Sequence, residues 1–233
     1  MPRSFSLATS FLAAAFVFAC SSSPAQDTPT YRAGLKSLGI PAPSSDLVEA
    51  GTDYRVLLEP LAPTANRLIA GFVQPGDLET IRSSGKAPLN LYALIEIPRR
   101  AEFADVTSDQ FKEIAASFAS QFGAGVEATL KDQQDEINRR LKALGSSSGE
   151  VTLDKPIQLG RLFSKQDASA FGMIMPVSSG GKTKKMVMGM VVLRVQSRVL
   201  FVYMYSEYKD QSSIDWVRTT EDHWADAIFR ANP

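Results

Sequence analysis

The chain has 233 residues, 44% of them hydrophobic, with 25 basic side chains against 25 acidic ones, one histidine and one cysteine. That length and apolar content suit one sizeable globular domain with extras, and they exclude a disordered or collagen-like chain. A single cysteine excludes an intramolecular disulfide and Cys-based zinc or iron–sulfur sites, a single histidine excludes a His-rich metal centre, and zero net charge argues against a nucleic-acid partner.

Residues 1–19 read as a secretory signal peptide. Met1, Pro2 and Arg3 form a short basic start, and no acidic side chain precedes Cys20. From Phe5 to Ala19 the chain is apolar or small, broken only by Ser6, Thr9 and Ser10. A basic start, an apolar core of roughly 7–15 residues and a small-residue end are the marks of an export leader. A membrane-spanning helix needs about 20 apolar residues, more than this stretch supplies.

The lone cysteine follows directly, in Val17-Phe18-Ala19-Cys20. This resembles the lipobox of bacterial lipoproteins, with a branched residue at −3 and a small one at −1; Phe18 at −2 is bulkier than the pattern. The resemblance implies cleavage before Cys20 and a diacylglycerol thioether on its sulfur, making Cys20 the lipid-attachment residue and the membrane a partner through that lipid. Ser21 after the cysteine, in place of Asp, implies the outer membrane of a diderm host. The alternative is ordinary signal cleavage after Ala19 or Ala25, releasing a soluble periplasmic or secreted protein. Loss of the leader removes Arg3 alone among charged residues, leaving 24 basic side chains against 25 acidic ones.

Residues 20–30 are rich in Ser, Pro and Thr and read as a flexible tether. Residues 31–51 read as an N-terminal extension, with a short helix over Tyr31–Leu38 ended by Gly39 and the prolines at 41 and 43. Residues 52–233 form the expected single domain. Tyr54–Leu58 and Arg67–Val73 read as strands, and Pro75–Ser84 as a helical turn. Leu89–Ile97 alternates like a strand with one covered face.

Two helices come next. Thr107 and Gln110 form a capping box for the first, whose stripe of Phe111, Ile114, Ala115, Phe118 and Phe122 suits packing on a sheet. The second carries Val126, Leu130, Ile137, Leu141 and Leu144 on one side. Its other side holds Lys131, Asp132, Asp135, Glu136, Arg139 and Arg140, which read as a solvated, salt-bridged face. The last third reads as four hairpin-connected strands, Ile157–Phe163, Ala168–Val177, Met186–Val195 and Val199–Tyr208, with a tight turn at Gln196-Ser197. A helix over Ser213–Ala231 closes the chain, with Trp216, Val217, Trp224, Ile228 and Phe229 facing the core.

This order implies an α+β domain, an antiparallel β-sheet with helices packed on it. In the passage from Leu89 to Phe122 and the ending from Met186 to Ala231, the chain resembles the PsbP-like fold, named for a photosystem extrinsic subunit and shared with a small nuclear-import factor. The resemblance spans residues 52–231 and implies a layered α/β/α sandwich used for scaffolding and binding more than for catalysis.

Candidate chemistry is sparse. Pro176–Thr183 has a proline where a phosphate loop opens on glycine, and a strand follows it where that loop needs a helix, so it reads as a hairpin turn. Ser83-Ser84-Gly85-Lys86 and Ser179-Gly180-Gly181-Lys182 fit S-x-x-K without the companion motifs of a Ser–Lys enzyme. His223 could act as a general base, but Asp222 beside it points about 100° away on a helix. Lys182, Lys184 and Lys185 form a small basic hairpin tip suited to headgroups or an acidic partner. The expectation is an exported, lipid-anchored cell-envelope protein with a non-enzymatic binding or assembly domain and an envelope protein as its partner. No catalytic residue, cofactor or metal site is expected. The competing expectation is a soluble hydrolase or small-ligand binder.

Overall fold

The computed structural model describes residues 28–84, 88–124, 126–143, 150–179 and 181–233. The leader, Cys20 and most of the tether lie outside these residues, as do Lys86, Leu144 and Gly180.

The chain opens with β1 (Thr30–Ala33) and β2 (Lys36–Gly39), a separate two-stranded hairpin, then the short β3 (Val48–Glu49). The helix α1 (Gly51–Leu58) runs into a 3₁₀ turn (Glu59–Leu61), followed by β4 (Asn66–Val73), α2 (Pro75–Ser84) and β5 (Leu91–Pro98). Two helices follow, α3 (Ser108–Ala124) and α4 (Val126–Ala143), then β6 (Val151–Leu153), β7 (Ile157–Lys165), β8 (Ala168–Ser179), β9 (Lys182–Val195), β10 (Arg198–Glu207) and α5 (Gln211–Ala231). Eight strands make one sheet in the order β3-β4-β5-β10-β9-β8, and the outer edge of β8 pairs with both β7 and β6. Every pairing is antiparallel. The domain is α+β, as the element order implies.

Strand β9 shows why the sheet carries helices on both faces. Val187, Val191, Leu193 and Val195 join the cluster under α5, while Met188, Met190 and Val192 join the one under α3. A strand with no polar side chain from Met186 to Leu193 cannot leave either face wet there. On the α5 side Val217, Trp224 and Ile228 seal the sheet, with Trp224 edge-on to Phe72 at 5.5 Å between ring centroids. On the other side Phe111 and Phe122 of α3 are buried, and Phe118 meets Phe201 at 5.1 Å. The capping box forms in both directions: the Thr107 amide donates to Gln110 Oε1 at 2.9 Å, and the Gln110 amide to Thr107 Oγ1 at 3.3 Å. Gln196 and Ser197 both adopt positive φ, 46° and 65°, as the turn between β9 and β10 requires.

Several expectations need correction. Tyr31–Leu38 is the β1–β2 hairpin and not a helix: Gly34, at φ 61°, turns the chain, and Ala33 and Leu38 are buried together with Ile40. Asn232 stitches this hairpin to α5, its Nδ2 donating to the Gly39 carbonyl at 2.7 Å and its Oδ1 accepting from the Gly39 amide at 2.9 Å. Trp224 Nε1 donates to the Pro41 carbonyl at 2.8 Å. The expected strand Tyr54–Leu58 lies in α1, because a five-residue apolar run does not distinguish strand from helix and Leu58 seats over Gly71 of β4. The helical turn at Pro75 is a full ten-residue helix opened by that proline. Since α1 and α2 cover what the sequence leaves open, β5 is buried on both faces, not one, and Glu96 within it is only 1% exposed.

Candidate functional site

Glu96 sits on the sheet face shared by α1, α2, α3 and α4, with Phe201 of β10 on one side and Leu68 of β4 on the other. Its Oε2 accepts a hydrogen bond from Asn66 Nδ2 at 2.7 Å. Burial pushes the Glu96 carboxyl up to about 7, while the Asn66 hydrogen bond and the nearby Arg140 charge pull in the opposite direction. Asn66 lies at the start of β4, so it links the buried acid to a surface cleft of about 340 Å³. Arg99, Arg140, Pro60 and Ala62 also line that cleft.

Arg140 is the strut of this region. Its Nη1 donates to the Glu59 and Ala62 carbonyls at 3.0 and 2.6 Å, and its Nε pairs with Glu136 at 2.7 Å. Arg140 therefore does not belong to a freely solvated face of α4; it caps carbonyls at the end of the 3₁₀ turn. Asn138, one turn away from Gln134, holds β6 through the Val151 amide and carbonyl at 2.7 and 2.8 Å. Helix α4 thus ties the sheet's β6 edge to the 3₁₀ turn at the cleft. Toward the middle of the same face, Tyr92, Tyr203 and Tyr205 form a stack with centroid spacings of 4.4 and 6.4 Å. Burial raises the pKa of all three phenols, so they remain neutral donors across the physiological range.

The arrangement can hold a proton near neutrality and present an amide and guanidinium groups to a ligand. The sequence reading misses both Glu96 and Asn66. The available signal was an acid at an in-between position of an otherwise apolar strand, legible only once both faces of β5 are known to be covered.

The residues singled out from the sequence do not converge. Cys20 lies outside the described residues. His223 is exposed on α5, and its neighbour Asp222 is engaged by Lys165 at 2.8 Å, which also binds Asp226 at 2.6 Å. Ser83 and Ser84 turn their hydroxyls back to the Thr80 carbonyl of their own helix. The Pro176–Thr183 stretch is the end of the β8–β9 hairpin, with Ser178 opposite Thr183 and Ser179 opposite Lys182. In the expected basic tip, Lys182 and Lys185 are exposed but Lys184 is not free. Its Nζ donates to the Pro88 carbonyl at 2.7 Å and to Asn90 Oδ1 at 3.0 Å, and burial lowers its pKa. Asp132 and Asp135 are exposed on α4, while Glu136 pairs with both Arg139 and Arg140. Among the described residues, no group of three or more His, Cys, Asp or Glu side chains is placed to hold a metal ion.

No family model and no curated protein matches the sequence. Two solved structures align over most of its length. The Saccharomyces cerevisiae Ran-binding protein Mog1p is 11% identical over 88% of this chain and 90% of that one, with a TM-score of 0.27. The Pseudomonas aeruginosa protein of unknown function PA94 is 13% identical over 89% of this chain and 98% of that one, with a TM-score of 0.21. At scores this low, neither likeness carries an argument about this chain.

Proposed function

We propose that the protein is an exported, lipid-anchored cell-envelope protein whose α+β domain, of PsbP-like layering, binds a ligand or an envelope partner and does not catalyse a reaction. The observation that carries this reading is Cys20 at the end of the apolar leader, followed by a polar stretch that joins the folded chain at the base of the β1–β2 hairpin. Two or three acyl chains, at about 0.8 kcal/mol per buried CH₂, are enough to hold such a domain on a bilayer. The cleft at Asn66 and Arg140 fits the binding role, since its polar groups are already fixed by neighbours and suit holding a ligand. Membrane-fraction protein should therefore begin at Cys20 and carry diacylglyceryl or triacyl mass, and Cys20→Ala should release it to the soluble fraction. Membrane protein of unmodified mass beginning at Cys20 or Gln26 would overturn the reading.

A further inference from the structure

Leu35 and Phe103 are the two most exposed large apolar side chains among the described residues, 75% and 66% accessible. Single exposed apolar residues need no explanation, but these two lie on adjacent segments. Leu35 occupies the tip of the β1–β2 hairpin next to Gly34, and a Cβ on Gly34 would lie 3.3 Å from the Phe103 ring. Polar contacts lock the two segments together. The Gly34 amide donates to Glu102 at 3.4 Å, Glu102 pairs with Arg67, and Asp105 is held by Lys36 at 3.2 Å and Arg198 at 2.8 Å.

The charge around the pair is one-sided. Glu102 and Asp105 are both neutralised by these ion pairs, whereas Arg32 and Arg100 on the same segments are exposed with no acidic side chain bound among the described residues; Arg99 belongs to the cleft, its Nε donating to the Thr64 carbonyl at 3.2 Å. The chain enters this hairpin at its base, where the Ile40 amide donates to the Pro29 carbonyl at 2.9 Å. Four strand residues at about 3.3 Å each put the tip roughly 13 Å from that entry. The eight peptide links from Cys20 to Thr28 can span up to about 28 Å. A bilayer holding an acylated Cys20 would therefore lie within reach of the tip.

We propose that Leu35 and Phe103 are the membrane-facing corner of the domain, entering the headgroup layer of the bilayer that holds the acylated Cys20 while Arg32 and Arg100 take anionic headgroups. This rests on the lipid-anchor reading. An apolar tip with two exposed arginines on its own segments is suited to the interface of an anionic membrane, where buried apolar area and headgroup attraction add.

Acylation blocks Cys20, so a second cysteine can be labelled selectively. Full-length Leu35→Cys protein from the membrane fraction, labelled with an environment-sensitive fluorophore, would be reconstituted in phosphatidylethanolamine–phosphatidylglycerol vesicles containing a lipid-borne quencher. Ile157→Cys, at an exposed apolar site on β7, is the comparison. The expected result is a blue-shifted emission and several-fold stronger quenching at position 35 than at 157, with most of the difference lost when Phe103→Asp is added. Equal quenching at the two sites in protein whose intact mass shows the lipid would overturn the corner and leave the anchor standing. A chain of unmodified mass would overturn the anchor and the corner with it.

Discussion

Glu96 and Glu221 are two glutamates buried to the same 1% exposure on opposite faces of one sheet, and their surroundings differ completely. Glu96 has Asn66 as a donor, Arg140 as a nearby positive charge and a cleft one residue away. Glu221, on the inner side of α5, presses its carboxyl against Gly189 of β9, and neither of its oxygens has a hydrogen-bond partner among the described residues. Burial raises its pKa well above the ordinary carboxylate range, with no compensating interaction. A polar contact network beside an opening marks a place that can exchange with solvent and ligand. A dry carboxyl between helix and sheet is a stability cost, with nothing beside it to act on.

The largest test of that contrast is Glu221→Met, which replaces an unpartnered acid with an apolar chain of similar length. Leaving a buried polar group unpaired costs about 1–3 kcal/mol and more when charged, so the variant should gain on the order of 3 kcal/mol at pH 8. The gain should shrink at pH 4, below the ordinary value of 4.5, where the wild-type carboxyl is protonated in the folded state and mostly so in the unfolded one, and denaturant melts at the two pH values would show it. A variant less stable than wild type at both values would mean that Glu221 has a partner.

Glu96 makes a prediction of nearly the same size with a bounded window. Its folded pKa of about 7 lies above the ordinary 4.5, so the folded state holds a proton that the unfolded state releases between these values. Its stabilising contribution is complete below about pH 4.5 and is lost as pH rises to about 7, amounting to roughly 3 kcal/mol at 1.36 kcal/mol per unit. Glu96→Gln should remove about half of the slope over that window and leave in place the part due to Glu221, which falls from about pH 4.5 upward as well. A profile in Glu96→Gln that still falls as steeply between pH 4.5 and 7 would contradict the assignment.

Gly189→Ala addresses the other face, since a Cβ there collides with the Glu221 carboxyl. Overpacking of this kind costs about 1–3 kcal/mol. In a Glu221→Ala background the same substitution should cost much less, a coupling that a double-mutant cycle would read as thermal shifts. Thr107→Ala should have the smallest effect, about 1 kcal/mol through loss of the α3 cap, without changing either pH profile.

The four C-terminal strands, the α3 capping box and the closing helix were legible in the sequence because each rests on local signals: alternation or unbroken apolar runs, a reciprocal cap, a turn at Gln196-Ser197. The α+β class follows from their order. The N-terminal part resisted that reading for an equally physical reason. Over Tyr31–Leu38 and Tyr54–Leu58 the apolar runs are too short to fix a period, and tertiary partners settle the matter: Asn232 and Trp224 of α5 hold the segment from Gly39 to Pro41, and Gly71 makes room for Leu58. Glu96 was hidden for the same reason, because its burial depends on α1 and α2 arriving over β5. The reading of residues 1–19 as an export leader and of Cys20 as a lipid site is a proposal that rests on the sequence alone, since chemistry on a nascent chain recognises local pattern and needs no fold. The cleft at Asn66, the orphaned Glu221 and the adjacent segments of Leu35 and Phe103 exist only in three dimensions, where residues 30 to 193 positions apart in the chain become neighbours.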